Sequence, residues 1–247
     1  MAIKGPLVAA GLAAALLAAG IAGQVLPDAP DPGEKPVLGL LTTLPIYWPE
    51  SDGIDEALNG GGEAHWARTA LERDNRLVTL DTLDGQDLSS IDRLVMAQPR
   101  PLAPGENVAL DDWVRAGGKL LLFADPMLTE HSRFAIGDRR RPQDVVVLSP
   151  ILKRWGLELQ FDEDQPDGVR IASVDGLEIP VEWAGALVRV EPGAPSQCAL
   201  STAGLMAECR VGKGAVTVIA DAAVLDRESG RQTGPVALLG LVSRALD

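Results

Sequence analysis

Short, uninterrupted apolar runs recur along this chain, separated by stretches with the spacing of amphipathic helices. Val37 to Leu41 follows a proline and predicts a first, buried strand. Thr42, Thr43 and Pro45-Ile46-Tyr47-Trp48-Pro49 then form a loop at its C-terminal end. A weak helix around Ile54 to Leu58 is broken by the glycines at 60 to 62. Trp66, Ala70 and Leu71 sit at helical spacing within Glu63 to Asp74. Arg76 to Leu80 predicts a second strand and Ile91 to Ala97 a third. Gly105 to Ala116 reads as a helix with Leu110, Trp113 and Val114 on its apolar face, stopped by Gly117-Gly118 as a glycine C-cap does. Lys119 to Ala124 (KLLLFA) is a strand of continuous apolar character, as in the centre of a parallel sheet.

Past Asp125 the chain loops through Met127 to Arg141, then forms a helix at about Val146 to Trp155 and a strand at Leu157 to Phe161. Short runs between Val169 and Val190 predict an antiparallel insertion at about 165 to 200. Gly212 and Gly214 mark a turn before a late strand, Ala215 to Ala220, and Pro235 to Leu246 reads as the closing helix. Strands alternating with helices predict a three-layer α/β fold with a mostly parallel sheet, flavodoxin-like or class I amidotransferase-like.

Ahead of this body, Pro6 to Leu26 carries no charge and is long enough to cross a bilayer as a helix. Lys4 precedes it and Asp28, Asp31 and Glu34 follow, which favours a single N-in pass with the rest of the chain translocated. A cleaved signal peptide is the competing reading, since small residues such as Ala18-Ala19-Gly20 offer cleavage sites. Residues 27–36, rich in Pro and Asp, read as a stiff linker to a domain spanning 37–247. The expected location is the cytoplasmic (inner) membrane, with the domain in the periplasm or its extracytoplasmic equivalent.

Composition narrows the chemistry. The 247 residues carry a net charge of -13, which argues against nucleic acid as a partner because phosphate binding needs clustered cations. Two histidines and two cysteines are too few for a structural zinc site, and no cofactor motif is present. Cys198 and Cys209 could face each other on adjacent strands as a disulfide if the domain meets an oxidising compartment; two separate buried thiols are the other reading.

In an open parallel sheet ligands gather at the C-terminal strand ends. Here those ends carry Thr43, Gln98, Arg100, Asp125 and Asp221, with His131 in the loop beyond Asp125 and the Tyr47–Trp48 pair in the loop after the first strand. Asp125 and Asp221 are placed for acid/base work or cation binding, or else each caps the turn that follows it. Ser132 lies outside any GxSxG elbow, so Asp125, His131 and a serine make only a paper triad. His65, beside Trp66 on a helix, reads as a packing residue. Tyr47 and Trp48 are a recognition anchor if exposed and a lid over the core if buried.

The segment Leu110 to Pro126, LDDWVRAGGKLLLFADP, resembles the helix, Gly-Gly, apolar strand, Asp-Pro core of auxiliary proteins of gliding-motility-type ABC transport systems. Ser149 to Leu159, SPILKRWGLEL, is similar to the helix, Trp-Gly, strand unit that follows in that group. The resemblance implies a class I glutamine amidotransferase-like domain without its nucleophile, Asp125-Pro126 standing where a cysteine would. It implies a non-catalytic accessory subunit, with a permease, an ATPase or another envelope protein as partner. The alternatives are an atypical hydrolase using strand-end carboxylates and a structural envelope protein.

Overall fold

The computed structural model describes Met1 and residues 35–51, 64–83, 88–228 and 230–247. The expected anchor at 6–26, most of the linker and the weak helix at 54–58 lie outside the described residues. Among the described residues no helix is long and apolar enough to cross a membrane. Lys35–Asp247 forms one compact unit.

The unit is α/β, built on a mostly parallel sheet. Strands β1 (Val37–Thr42), β2 (Arg76–Thr79), β3 (Arg93–Ala97) and β4 (Lys119–Phe123) are joined late in the chain by β11 (Gly214–Ile219). The sheet order is β2-β1-β3-β4-β11, extended at one edge by β10 (Met206–Val211) and β9 (Gln197–Leu200). The first five strands are mutually parallel; β10 and β9 run antiparallel. β3 and β4 are buried at every position but the first, which is why their sequences are continuous apolar runs rather than alternations.

Each face of the sheet is covered. Leu120 and Leu122 point to the side packed by α2 (Pro104–Ala116) and α3 (Ser149–Arg154), with Trp155 completely buried among them. Leu121 and Phe123 point to the side packed by α1 (Trp66–Asp74) and α4 (Gly230–Leu246). This opposite facing of neighbours is the period-2 geometry of a strand. The carboxylate of Asp111 on α2 ties the first layer together: it accepts the Trp155 indole N–H at 2.9 Å, the Arg115 guanidinium at 2.9 Å and Arg154.

The expected antiparallel insertion is present as two ribbons. β6 (Arg170–Val174) pairs with β7 (Leu177–Val181), and β5 (Leu157–Gln160) pairs with β8 (Ala186–Arg189) around them. β9 falls within the expected bounds but joins the main sheet, together with β10, which lies beyond them. Their register sets Cys198 directly opposite Cys209, and the two form a disulfide across the sheet edge. The turn between β10 and β11 lies against the end of α2. A Cβ on Gly214 would sit 2.1 Å from the Val114 carbonyl oxygen, so only glycine fits.

Several boundaries differ from expectation: the helix expected over Val146 to Trp155 spans only Ser149–Arg154, and the third strand begins at Arg93 rather than Ile91. α1 begins at Trp66, capped by His65, whose Nδ1 accepts the Ala67 N–H at 3.1 Å. α4 begins at Gly230 and carries Pro235 inside it, although proline favours the first turn. Its early turns are held by close packing: a Cβ on Gly234 would meet the Val224 carbonyl at 2.7 Å and the Trp66 ring at 2.8 Å.

Candidate functional site

In this sheet order the chain passes from one face to the other between β1 and β3, and the crevice of such a sheet opens at the carboxyl ends there. Gln98, at the end of β3, is fully buried with a left-handed φ of 44°. Its Nε2 donates to the carbonyls of Asp125 (3.0 Å) and Gln143 (2.7 Å), and its Oε1 accepts the Asp125 N–H at 3.0 Å. Thr43 Oγ1 donates to the Gln98 carbonyl at 2.5 Å and accepts the Gln143 N–H at 3.0 Å. These bonds fasten the ends of β1, β3 and β4 to loop 126–148 and hold Gln98 in a conformation few non-glycine residues adopt. Both side chains serve the scaffold.

Asp125 and Asp221 each lie two residues past the ends of the adjacent parallel strands β4 and β11, whose last paired residues are Phe123 and Ile219. Both are buried, at 1% exposure. Asp125 accepts the N–H groups of Met127 (2.8 Å) and Ala222 (3.1 Å); Asp221 accepts those of Ala223 (2.6 Å) and Glu182 (2.9 Å). Every carboxylate oxygen thus caps backbone. Burial pushes Asp125 up to about 6, and burial followed by the Asp125 charge raises Asp221 well above the usual carboxylate range. The two carboxyls are walled off from solvent, and the charge of Asp125 disfavours ionisation of Asp221.

His131 is exposed and makes no hydrogen bond to either aspartate, so the structure does not assemble Asp125, His131 and Asp221. Ser132 Oγ donates to Glu50 Oε1 at 2.5 Å and closes a loop. Arg100 is held by Glu106, with bonds of 2.6 and 2.8 Å to its two oxygens, and by the Asp81 carbonyl at 2.7 Å. Among the described residues no group of three His, Cys, Asp or Glu could hold a metal ion.

The Tyr47–Trp48 pair is different. Trp48 is 69% exposed, and its ring meets Tyr47 edge-on at 4.9 Å. The Arg68 guanidinium lies 4.1 Å from the centre of the Tyr47 ring and donates to the Tyr47 carbonyl at 3.2 Å. This fixes Tyr47 and leaves Trp48 projecting. Both border a cleft of about 260 Å³ at the ends of β1 and β2, with Thr43, Asp81, Phe134 and Arg140 on its walls.

A cluster that sequence reasoning did not assemble lies on the same rim. The Glu130 carboxyl hydrogen-bonds Asp226 and accepts the Arg227 N–H at 3.0 Å. Burial, then the Asp226 hydrogen bond, pushes Glu130 up to about 8. Buried His65 is pushed down to about 4 by desolvation and then by the Arg227 charge. The groups come from three loops and share no sequence spacing. Because the folded pKa of Glu130 is raised, its contribution to stability is fully present below about 4.5 and is lost as pH rises to about 8. Glu130→Gln imitates the protonated acid. It is expected to raise stability at pH 8 and to flatten the decline between pH 5 and 8 in urea denaturation. An unchanged slope would place the titration elsewhere.

No protein-family model matches the chain, and no curated protein matches it. Among solved structures, the exo-beta-1,4-mannosidase Op5Man5 from Opitutaceae bacterium strain TAV5 superposes with a TM-score of 0.52 at 15% identity, over 86% of this chain and 36% of that one. Gan42B, a GH42 beta-galactosidase from G. stearothermophilus, matches at a TM-score of 0.50 and 12% identity, over 85% and 30% of the two chains. The chain therefore spans about a third of the length of these glycosidases. The mmIFT52 N-terminal domain gives a TM-score of 0.50 at 14% identity over 85% of this chain and 96% of that domain. At these identities the likeness is one of fold: the chain shares its architecture with a segment of the two glycosidases and with the mmIFT52 N-terminal domain.

Proposed function

We propose that this chain is a non-catalytic binding domain, an accessory subunit of an ABC-type export system or cell-envelope complex held on the outer side of the cytoplasmic membrane. The observation that carries the reading is the contrast along the strand-end rim. Gln98, Thr43, Arg100, Asp125 and Asp221 are spent on internal hydrogen bonds, while Trp48 stands out beside an open cleft. Rigid exposed aromatics of this kind anchor protein interfaces. The disulfide supports an oxidising compartment. The resemblance of residues 110–126 and 149–159 to gliding-motility-type ABC auxiliary proteins supports the partner class, with an amidotransferase-like fold of which the strand order is one element.

The rival reading, an atypical hydrolase, draws on the adjacency of Asp125 and Asp221. Their burial and the exposure of His131 weigh against it.

The test is a crosslinked pull-down of the full chain from native membranes. The wild type is expected to retrieve a permease or ATPase subunit, and Trp48→Ala to reduce that recovery roughly tenfold or more, as loss of a central aromatic anchor does. Recovery of no envelope protein, or equal recovery by the variant, would overturn the reading.

A further inference from the structure

A groove of about 510 Å³ opens between the two ribbons of the insertion, away from the Trp48 cleft. Its size suits a small molecule. Phe161, Ile171, Ala172, Val181 and Leu205 give it an apolar lining, and Phe161 and Ile171 are left 36% and 53% exposed. Such apolar surface, left open to water in a folded domain, marks a place where something binds.

Arg170 also lines the groove. Its Nη2 donates to Gln165 Oε1 at 2.8 Å, while its Nε is buried without an acceptor. Gln165 is itself fixed, its Nε2 donating to the carbonyls of Asp162 and Ala184 at 2.8 Å each. The guanidinium is therefore held in place but, among the described residues, paired with no carboxylate. Asp162 lines the groove as well, but its Oδ1 is turned to the Asp164 N–H at 2.9 Å.

One wall is fastened by buried Asp221 and by the end of β11. Asp221 Oδ2 accepts the Glu182 N–H, and the Gly185 N–H donates to the Ala220 carbonyl at 2.7 Å. Between these two fastenings Trp183 takes a left-handed φ of 54°, which bulky residues rarely adopt, and its ring lies 6.4 Å from Phe161. A strained residue so constrained, backing an open groove, is the pattern of a pre-shaped binding wall.

We propose that this groove binds a small molecule with a flat apolar body and one carboxylate-like anionic group, the body lying against Phe161, Ile171 and Leu205 and the anion on Arg170. The planar fork of a guanidinium suits an oxyanion of that kind, and apolar walls raise the strength of the contact. The site is separate from the Trp48 surface, and either assignment can fail without the other.

The probe is 8-anilinonaphthalene-1-sulfonate, an aromatic body with a single anion, with neutral N-phenyl-1-naphthylamine as its uncharged counterpart. Calorimetric and fluorescence titration of the folded full chain is expected to show one saturable site for the sulfonate. Arg170→Gln is expected to weaken sulfonate binding about tenfold, the loss of one charge-assisted hydrogen bond, and to leave the neutral probe within about twofold. Ile171→Glu, at an exposed position, is expected to weaken both probes, and Trp48→Ala neither. Non-saturating binding by the wild type, equal sulfonate affinity in Arg170→Gln, or an equal loss for the neutral probe would each overturn the proposal.

Discussion

Replacing Glu106 with alanine is expected to lower the free energy of unfolding at pH 7 by about 2–4 kcal/mol, because it removes a buried acceptor shared by several donors. Glu106 lies in the first turn of α2 and is 1% exposed. Its carboxylate accepts both terminal nitrogens of Arg100, the Thr82 hydroxyl at 3.0 Å, the Leu83 N–H at 3.0 Å and the Ala103 N–H at 2.8 Å. The last contact is the return half of a capping box at the start of the helix. Alanine removes the acceptor of the Leu83 and Ala103 N–H groups and of the Thr82 hydroxyl, while Arg100, 39% exposed, keeps the Asp81 and Pro101 carbonyls and meets solvent. The Arg100 hydrogen bonds, foremost among the causes, hold the Glu106 carboxyl down at about 2. Its stabilising contribution is therefore present above about 4.5 and fades as pH falls toward 2. Urea denaturation should show a lower midpoint with an unchanged slope, and the gap between wild type and variant should narrow in acid. A loss below about 1 kcal/mol would mean that the surrounding loop relaxes to hydrate the donors.

Trp155→Ala is expected to cost a similar amount, about 3–5 kcal/mol, through a different term. Trp155 is the largest fully buried side chain and closes α3 against the sheet. Alanine removes the ring and opens a cavity between α2, α3 and β5, whose neighbours are fixed by their own strands. It also deprives Asp111 of one donor. Trp155→Phe separates the two effects: it restores most of the volume and loses only the indole N–H, so a smaller cost of about 1–2 kcal/mol is expected. Thermal and chemical denaturation of the two variants side by side measures the split. Equal costs would assign the effect to the hydrogen bond rather than to packing.

The fold was legible where burial is two-sided. The run LLLFA after Lys119 and the run at Val37 are apolar because helices cover both faces, the run at Ala215 is broken only by buried Thr217, and each is a strand in the central sheet. β9 and β10 were harder to read. QCAL alternates exposed and half-buried positions over only four residues, and β10 carries Glu208 and Arg210 within it. The antiparallel facing of Cys198 and Cys209 was nevertheless open to inference from their separation. Pro235 suggested a helix start that packing moved to Gly230. At the site, strand ends located Asp125 and Asp221 and suggested their capping role. That Gln98 and Thr43 are structural fasteners could not be read, since their partner, Gln143, lies far along the chain. The Glu130, Asp226 and His65 cluster depends on the same long-range convergence.

The bridge between β9 and β10 has a consequence for where this polypeptide can safely mature. β9 is the outermost strand of the seven, short, and flanked on one side only. An outermost strand that peels away uncovers the hydrogen-bonding groups of its neighbour, which can then recruit a second chain. The covalent latch at Cys198 and Cys209 prevents that, and thiols kept reduced cannot form it. In reducing surroundings this border would be unlatched and prone to self-association, whereas in oxidising surroundings β9 would be held on its neighbour.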